Sequence, residues 1–548
     1  MITPETKSLV TSDGIRLDAD IYHPGGPGPY PVLLMRQPYG RRIASTVTYA
    51  HPSWYANHGY IVVIQDVRGR GSSEGNFELL KNECSDGRET LDWVVDIPGS
   101  DGQVGMYGFS YQGMTQLMAA HTNHDALKTI CPAMAGADLY HDWAYEGGVF
   151  RLFNSLTWAA QLSAETARRD GDAMRYADRY ELGHEPSIGA LMSAAEGRTR
   201  QRLGDSFFNA WIDEPQESDY WRERSAVPLP SDTKLSTLHI GGWYDAFLTG
   251  TLRTFEHFKR LGNSAENELV IGPWGHLPWS PQIGNHDYGP SGESFIDELQ
   301  IRWFDRQLKG VSKDAITTDA PVQLFDVEVG EWVESFGWPP PTQLYRLDLD
   351  SGGLAGARQN HGTLTDGQAG KPEPDTIVSD PWRPVPSKGG TTGPQSGRFE
   401  RQDIDARPDV ATYTSEPLKE ELIISGTVEL QLDISADINP FHVHVVLSIA
   451  EPFGSVWNLT SGSLRVDVQS SIVTVSLRPI YAKIVVGKSL RVSISGADWP
   501  AMALPQSSGR TPGAASALDY PIVTLSLNAG EGISTLLMPV VTKTKSNV

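Results

Sequence analysis

At 548 residues the chain exceeds what one hydrophobic core organises, about 250 to 300 residues, so two or three domains are expected. Hydrophobic residues at 39% and charged residues at 20% are the balance of a folded globular protein, which excludes a disordered or membrane-embedded chain. A formal net charge of −22, spread along the sequence, repels phosphate backbones and anionic lipid, so neither nucleic acid nor a membrane is an expected partner.

No apolar run approaches the roughly 20 residues needed to span a bilayer. The start MITPETKSLV lacks the basic and apolar stretches of a signal peptide, so a cytoplasmic location is expected. Cys84 and Cys131, the two cysteines, supply neither a disulfide framework nor a metal-ligand spacing. No metal and no organic cofactor is expected.

In chain order, residues 1–140 alternate short β-branched runs with turn residues and helical patterns, the texture of a doubly wound parallel sheet. Strands are predicted at 15–22, 31–35, 60–66, 104–109 and 128–133. The near-continuous apolar run from Tyr60 to Ile64 marks a strand buried on both faces. From 141 to 230 the pattern turns helical, with no strand predicted, as in an inserted segment. Strand signals resume at 235–241 and 267–272, and a helix over 295–308 stops at Gly310, a residue type suited to a C-cap. Residues 351–395, dense in Gly, Pro, Ser and Thr, predict long surface loops. The remainder alternates with a period of two, and an all-β sandwich is expected for about 320–545.

The chemistry-bearing segment is Gly108-Phe109-Ser110-Tyr111-Gln112-Gly113, because it follows a strand pattern and opens a helix. A serine on such a sharp turn exposes its hydroxyl. Its second glycine comes one place later than in G-x-S-x-G. The hydroxyl needs a histidine to take its proton and a carboxylate to orient that histidine. In the chain order Ser, Asp, His, two later segments fit: Asp245 after the 235–241 strand and His276 after the 267–272 strand. Singly, Asp245 is an ordinary loop acid and His276 an ordinary structural histidine; their order and contexts carry the assignment. His239 lies within a strand and His286 further into a loop, so both fit less well. An oxyanion needs two donors, for which the Tyr111 backbone N–H and the Tyr39 hydroxyl, after the 31–35 strand, are the candidates.

RQPYGR around Tyr39, QDVRGRGSSEG at 65–75, GMYGFSYQG, GGWYDAF, IGPWGH and RWFDRQLKG together resemble the cocaine esterase-like (CocE/NonD) hydrolases of the Xaa-Pro dipeptidyl-peptidase superfamily, which also holds cephalosporin acylases and α-amino-acid ester hydrolases. The resemblance covers nearly the whole chain. It implies an α/β class fold: an α/β-hydrolase domain (1–140 and 231–315), an inserted helical cap (141–230) and a C-terminal all-β jelly-roll (316–548). It also makes the displaced glycine an expected feature and gives Tyr39 the oxyanion role.

The reaction expected is hydrolysis of a small-molecule ester or amide through an acyl-serine. A peptidase-like amidase or acylase is the alternative within that class, an acyltransferase that excludes water is another, and a non-catalytic binding or scaffolding jelly-roll protein lies outside it. A homo-oligomer, a dimer in the simplest case, is left open. Unlike the α-amino-acid ester hydrolases, which place acids after the triad aspartate to hold an ammonium, this chain has Ala246, Phe247 and Leu248. Phe247 with Trp143, Phe150, Phe153 and Trp158 is expected to form an apolar acyl pocket. Asp142 and Glu146 would restore a negative site only if both pointed inward.

Overall fold

The structure, a computed structural model, describes residues 2–43, 46–192, 197–204, 206–262, 265–312, 320–358, 361–367, 373–506 and 519–542. The expected boundary at 315/316 lies outside these residues. Six strands open the chain: β1 (Glu5–Val10), β2 (Arg16–Tyr22), β3 (Tyr30–Gln37), β4 (Ile61–Asp66), β5 (Ser100–Phe109) and β6 (Leu127–Ala133). Between them run α1 (Pro52–Asn57), α2 (Glu83–Val95) and α3 (Tyr111–Ala120). A π-helical turn (Leu139–Ala144) leads into a small hairpin, β7 (Tyr145–Glu146) and β8 (Val149–Phe150).

The helical segment follows: α4 (Leu152–Arg169), α5 (Ala173–His184), α6 (Ile188–Met192), α7 (Gly197–Arg202), α8 (Phe207–Asp213) and α9 (Asp219–Arg222). The sheet then resumes with β9 (Ser236–Tyr244), α10 (Leu248–Arg260), β10 (Asn267–Gly275), the short pair β11 (Gln282–Ile283) and β12 (His286–Asp287), α11 (Ile296–Lys309), β13 (Val322–Asp326) and β14 (Glu331–Ser335).

The first sheet has the order β1-β2-β4-β3-β5-β6-β9-β10-β13-β14, parallel from β4 to β13 with antiparallel strands at both edges. Every residue of β4 and β9 is buried, the state expected when helices cover both faces. The chain steps one way from β3 to β4 and the other way to β5, and open α/β sheets bind ligands at such a reversal, beyond the carboxyl ends of the strands. α11 ends as expected on Gly310 in the left-handed conformation, φ 67°.

Three stretches differ from the sequence expectation. β13 and β14, read as part of the sandwich, extend the first sheet instead, since a period of two does not say which sheet a strand joins. The cap segment contains the β7–β8 hairpin, closed by Gly147 and Gly148, both at positive φ, which two-residue hairpin turns favour. Within 351–395, predicted as loops, Gly362–Thr365 and Glu373–Ser379 are strands. The second is an edge strand, where Pro374 is tolerated.

The C-terminal part, from Thr342–Asp350 to Thr535–Val541, is the β jelly-roll, with thirteen strands among the described residues in one hydrogen-bonded network. Its core is continuous with the first sheet: Trp243, Leu248 and Phe255 pack in one cluster with Leu324 and Phe325 of β13 and with Leu347, Ile424 and Val540 of the jelly-roll. Such a shared apolar core fixes the two parts relative to each other. The hairpin tip is a second anchor, because a Cβ at Gly147 would lie 2.1 Å from Ser463 O, and Gly147 O accepts from Arg465 N at 2.8 Å. Among the described residues no helix is long and apolar enough to cross a membrane.

Candidate active site

Ser110 is the residue between β5 and α3, at φ 60° and ψ −124°. A non-glycine there stores roughly 1–3 kcal/mol of strain, which neighbouring packing must offset. Its surroundings explain both glycines. A Cβ at Gly108 would lie 2.5 Å from Gln112 Cβ, and one at Gly113 would lie 2.5 Å from Ala135 Cβ, where α3 crosses the end of β6. The close approach thus falls at position 113, which accounts for the displaced glycine. Gln116 pins the turn: its Nε2 donates to Gly108 O at 3.0 Å and its Oε1 accepts from Cys131 N at 2.9 Å.

Asp245 follows β9 and His276 follows β10, two adjacent parallel strands, so the loops meet beyond their carboxyl ends. His276 Nδ1 lies 2.8 Å from Asp245 Oδ1, and His276 Nε2 lies 3.0 Å from Ser110 Oγ. Asp245 is wholly buried, and its second oxygen accepts from Phe247 N at 3.1 Å. That bond leaves one oxygen to fix the imidazole tautomer. The rival histidines are elsewhere: His239 is buried against Phe255 and Phe258, where burial lowers its pKa to about 3, and His286 packs on Tyr288 and Trp457.

The Tyr39 hydroxyl accepts from Trp158 Nε1 at 3.0 Å and lies beside Ser110. Burial pushes it up to about 12, so it is a protonated donor throughout the neutral range. Tyr111 opens α3, and the first N–H groups of a helix have no acceptor within it. Its side chain turns away, donating from its hydroxyl to Glu83 Oε1 at 2.7 Å.

A cavity of about 720 Å³ opens above Ser110. Trp143, Trp158 and Phe247 line it, their rings in a row with Trp143–Phe247 centroids 4.1 Å and Trp143–Trp158 centroids 5.1 Å apart. Phe150 and Phe153 are corrections, for neither borders the cavity. Phe150, on β8, packs under the cap against Tyr145 and Phe208. Phe153, in the first turn of α4, packs half-buried against the apolar cluster that holds Leu152 and Leu156, and its N–H bonds Pro500 O of the jelly-roll. Asp142 and Glu146 are likewise absent from the wall. Asp142 pairs with Arg253 at 3.1 Å, and Glu146 is bound by Arg151, Arg478 and Ser463 N.

Sequence reasoning passed over Arg151 and Trp211, which both line the cavity. Buried Arg151 donates from Nη1 to Asp142 O at 2.5 Å and to Ala246 O at 3.0 Å, next to Asp245. Burial lowers its pKa to about 10, still charged at neutral pH. No motif marks it, because besides Glu146 its partners are backbone carbonyls. Among the described residues, no group of three or more His, Cys, Asp or Glu could hold a metal.

Residues 13–278 match the model of the X-Pro dipeptidyl-peptidase (S15 family), and residues 313–536 match that of the X-Pro dipeptidyl-peptidase C-terminal non-catalytic domain. Cocaine esterase of Rhodococcus sp. (strain MB1 Bresler) is 32% identical over 481 residues, 85% of this chain and 83% of that protein. An aminopeptidase from the marine sediment archaeon Thaumarchaeota archaeon superposes with a TM-score of 0.81 at 21% identity, over 99% of this chain and 97% of that one. An α-amino acid ester hydrolase superposes with a TM-score of 0.74 at 22% identity, over 98% and 97%. Both structural likenesses concern the fold.

The fold and its relatives define a serine hydrolase of the α/β-hydrolase class. The chain belongs to the X-Pro dipeptidyl-peptidase (S15) family, in its cocaine esterase-like branch.

Proposed function

We propose that this protein hydrolyses a carboxylic ester of a neutral acyl group through an acyl-serine intermediate. His276 Nε2 takes the Ser110 proton as Oγ attacks the carbonyl carbon, and Asp245 holds the imidazole in the tautomer this requires. The carbonyl oxygen becomes an oxyanion, stabilised by the Tyr39 hydroxyl and the Tyr111 N–H. Collapse expels the alcohol, which receives the proton from His276. Water, deprotonated by the same His276, then attacks the acyl-serine and releases the carboxylic acid. The observation that carries this reading is the 3.0 Å Ser110–His276 contact in line with the 2.8 Å His276–Asp245 contact, on a strained turn beside the Tyr39 hydroxyl.

In this reading 141–230 acts as a cap, and the hydrolase unit runs through Ser335, because β13 and β14 complete its sheet. The pre-steady state tests the mechanism. A phenyl ester is expected to release a burst of phenol near one equivalent per Ser110 if deacylation is the slower step, and trapping in acid would recover the acyl group on Ser110. Turnover with no trapped acyl-serine would contradict it, and no turnover would favour a binding or scaffolding role.

A neutral acyl group is favoured over an α-ammonium one by charge. The one carboxylate among the described lining residues is Glu165, which is already paired with Arg168 at 2.7 Å. At the other end Glu146 is held by Arg151 and Arg478, and Asp142 by Arg253, so both carboxylates are already paired and neither borders the cavity. An ammonium losing its water there would gain no compensating carboxylate. Phenylacetyl and phenylglycyl esters of one alcohol, assayed below the amine's pKa, are expected to differ on the order of tenfold or more in kcat/KM in favour of phenylacetyl. Equal values, or the reverse order, would refute this part of the reading. The same absence speaks against a peptidase that recognises a free N-terminus.

A further inference from the structure

The cavity is larger than the acyl pocket and its catalytic floor require. Its volume of about 720 Å³ is in the range that holds a drug-sized ligand. Along α4 its wall runs from Arg151 to Arg168, about 25 Å at the rise of a helix. The two ends differ. At the inner end Phe247, Trp143 and Trp211 are buried, whereas at the outer end Tyr176 and Tyr180 remain 38% and 57% exposed.

These outer rings belong to a regular arrangement. Tyr176, Tyr180 and His184 succeed one another at every fourth position of α5, all border the cavity, and their ring centroids are spaced 5.9 Å and 5.9 Å with interplanar angles of 27° and 23°. The buried residues of α5 are Arg179 and Leu182, so the ladder is not the face by which this helix packs. α5 runs back along α4 after a short turn, and Gly183 sits so close that a Cβ there would lie 3.2 Å from Thr157 O and 3.3 Å from Gln161 N. His184 is therefore level with Trp158, whose indole touches Tyr39, and Tyr176 lies about 12 Å further out, eight residues along the helix.

The geometry points to a second subsite, in which the Tyr176–Tyr180–His184 ladder stacks against a flat, extended aromatic leaving group of the ester. This inference rests on the acyl-serine reaction proposed above. The alcohol must leave while the acyl group stays attached to Ser110, so the alcohol belongs on the open side and the acyl group in the closed aromatic end. Three near-parallel rings stacked in offset along an exposed wall offer apolar ring surface and little hydrogen-bond direction, which suits a planar aromatic group. Tyr176 and Tyr180 are expected to act through KM more than through kcat, since they lie further out along α5 than His184.

The test compares phenyl and 4-biphenylyl phenylacetate, each kcat/KM being corrected for that ester's rate with hydroxide. Wild type is expected to prefer the biphenylyl ester about tenfold, mainly through KM. Tyr180→Ala is expected to reduce that preference about five- to tenfold and Tyr180→Phe to retain it, because stacking needs the ring and not the hydroxyl. Tyr176→Ala should act in the same direction, and the exposure of both tyrosines makes misfolding of these variants a small concern. An unchanged preference in both alanine variants would overturn the inference while turnover of the phenyl ester still upheld the reaction at Ser110. Loss of self-association in Tyr180→Ala with an unchanged preference would overturn it too, assigning the ladder to contact between copies of the chain. Turnover of neither ester would overturn the reaction and the subsite together.

Discussion

Ser110→Ala is expected to lower kcat by roughly four to six orders of magnitude, because it removes the covalent route while leaving binding and the oxyanion donors in place. The thermal transition should move little. Ser110 makes no contact that holds the core, and alanine meets the same φ of 60° at a cost close to that of serine. His276→Ala should be similarly severe, and the double variant scarcely worse than either alone, since nucleophile and base act as a unit. Asp245→Asn should cost on the order of 10⁴-fold: the amide keeps the shape of the buried site and selects the wrong imidazole tautomer. Single-turnover and steady-state rates with one phenyl ester check all four. A Ser110→Ala protein keeping more than about a tenth of wild-type activity would rule out the assignment.

Tyr39→Phe should lower kcat about a hundredfold, with a smaller change in KM, if the hydroxyl bonds the oxyanion more tightly than the ground-state carbonyl. The substitution removes one oxygen and little volume, but it also takes the acceptor from Trp158 Nε1. Trp158→Phe separates the two effects: it leaves the Tyr39 hydroxyl free to donate, so its kcat should fall far less. Since burial holds Tyr39 at about 12, its donor is present at every pH up to about 11, and the wild-type to Tyr39→Phe rate ratio should be flat across that range. A ratio that changes between pH 7 and 9, or a loss confined to KM, would mark Tyr39 as a ground-state contact instead.

The parts of the molecule legible in the sequence are those whose signal is local. Strand β4 announces itself because burial on both faces leaves the apolar run from Tyr60 to Ile64, and α11 because its amphipathic face ends on Gly310. Ser110, Asp245 and His276 are readable from their positions just after strands, and the fold places His276 within hydrogen-bond distance of the other two. What stayed hidden depends on the third dimension. β1 pairs with β2 at the sheet edge and buries almost nothing, so its sequence ETKSLV carries no apolar pattern. Phe150 and Phe153 are near the cavity in sequence, and their packing, Phe150 against Phe208 and Phe153 at the start of α4 beside Pro500, is set by contacts far away in the chain. Arg151 was invisible because backbone carbonyls, which every residue possesses, are half of its environment.

The most direct test of the central claim is covalent labelling with a fluorophosphonate, read by intact mass and peptide mapping. Fluorophosphonates react with an activated serine and not with an ordinary hydroxyl, because attack requires the proton to be taken as the bond to phosphorus forms. In the folded wild-type protein the account predicts one adduct per chain, on Ser110, formed together with loss of esterase activity. It predicts none in Ser110→Ala and a much slower reaction in His276→Ala. A folded wild-type protein that acquires no adduct, or acquires it on a serine other than Ser110, would contradict the account.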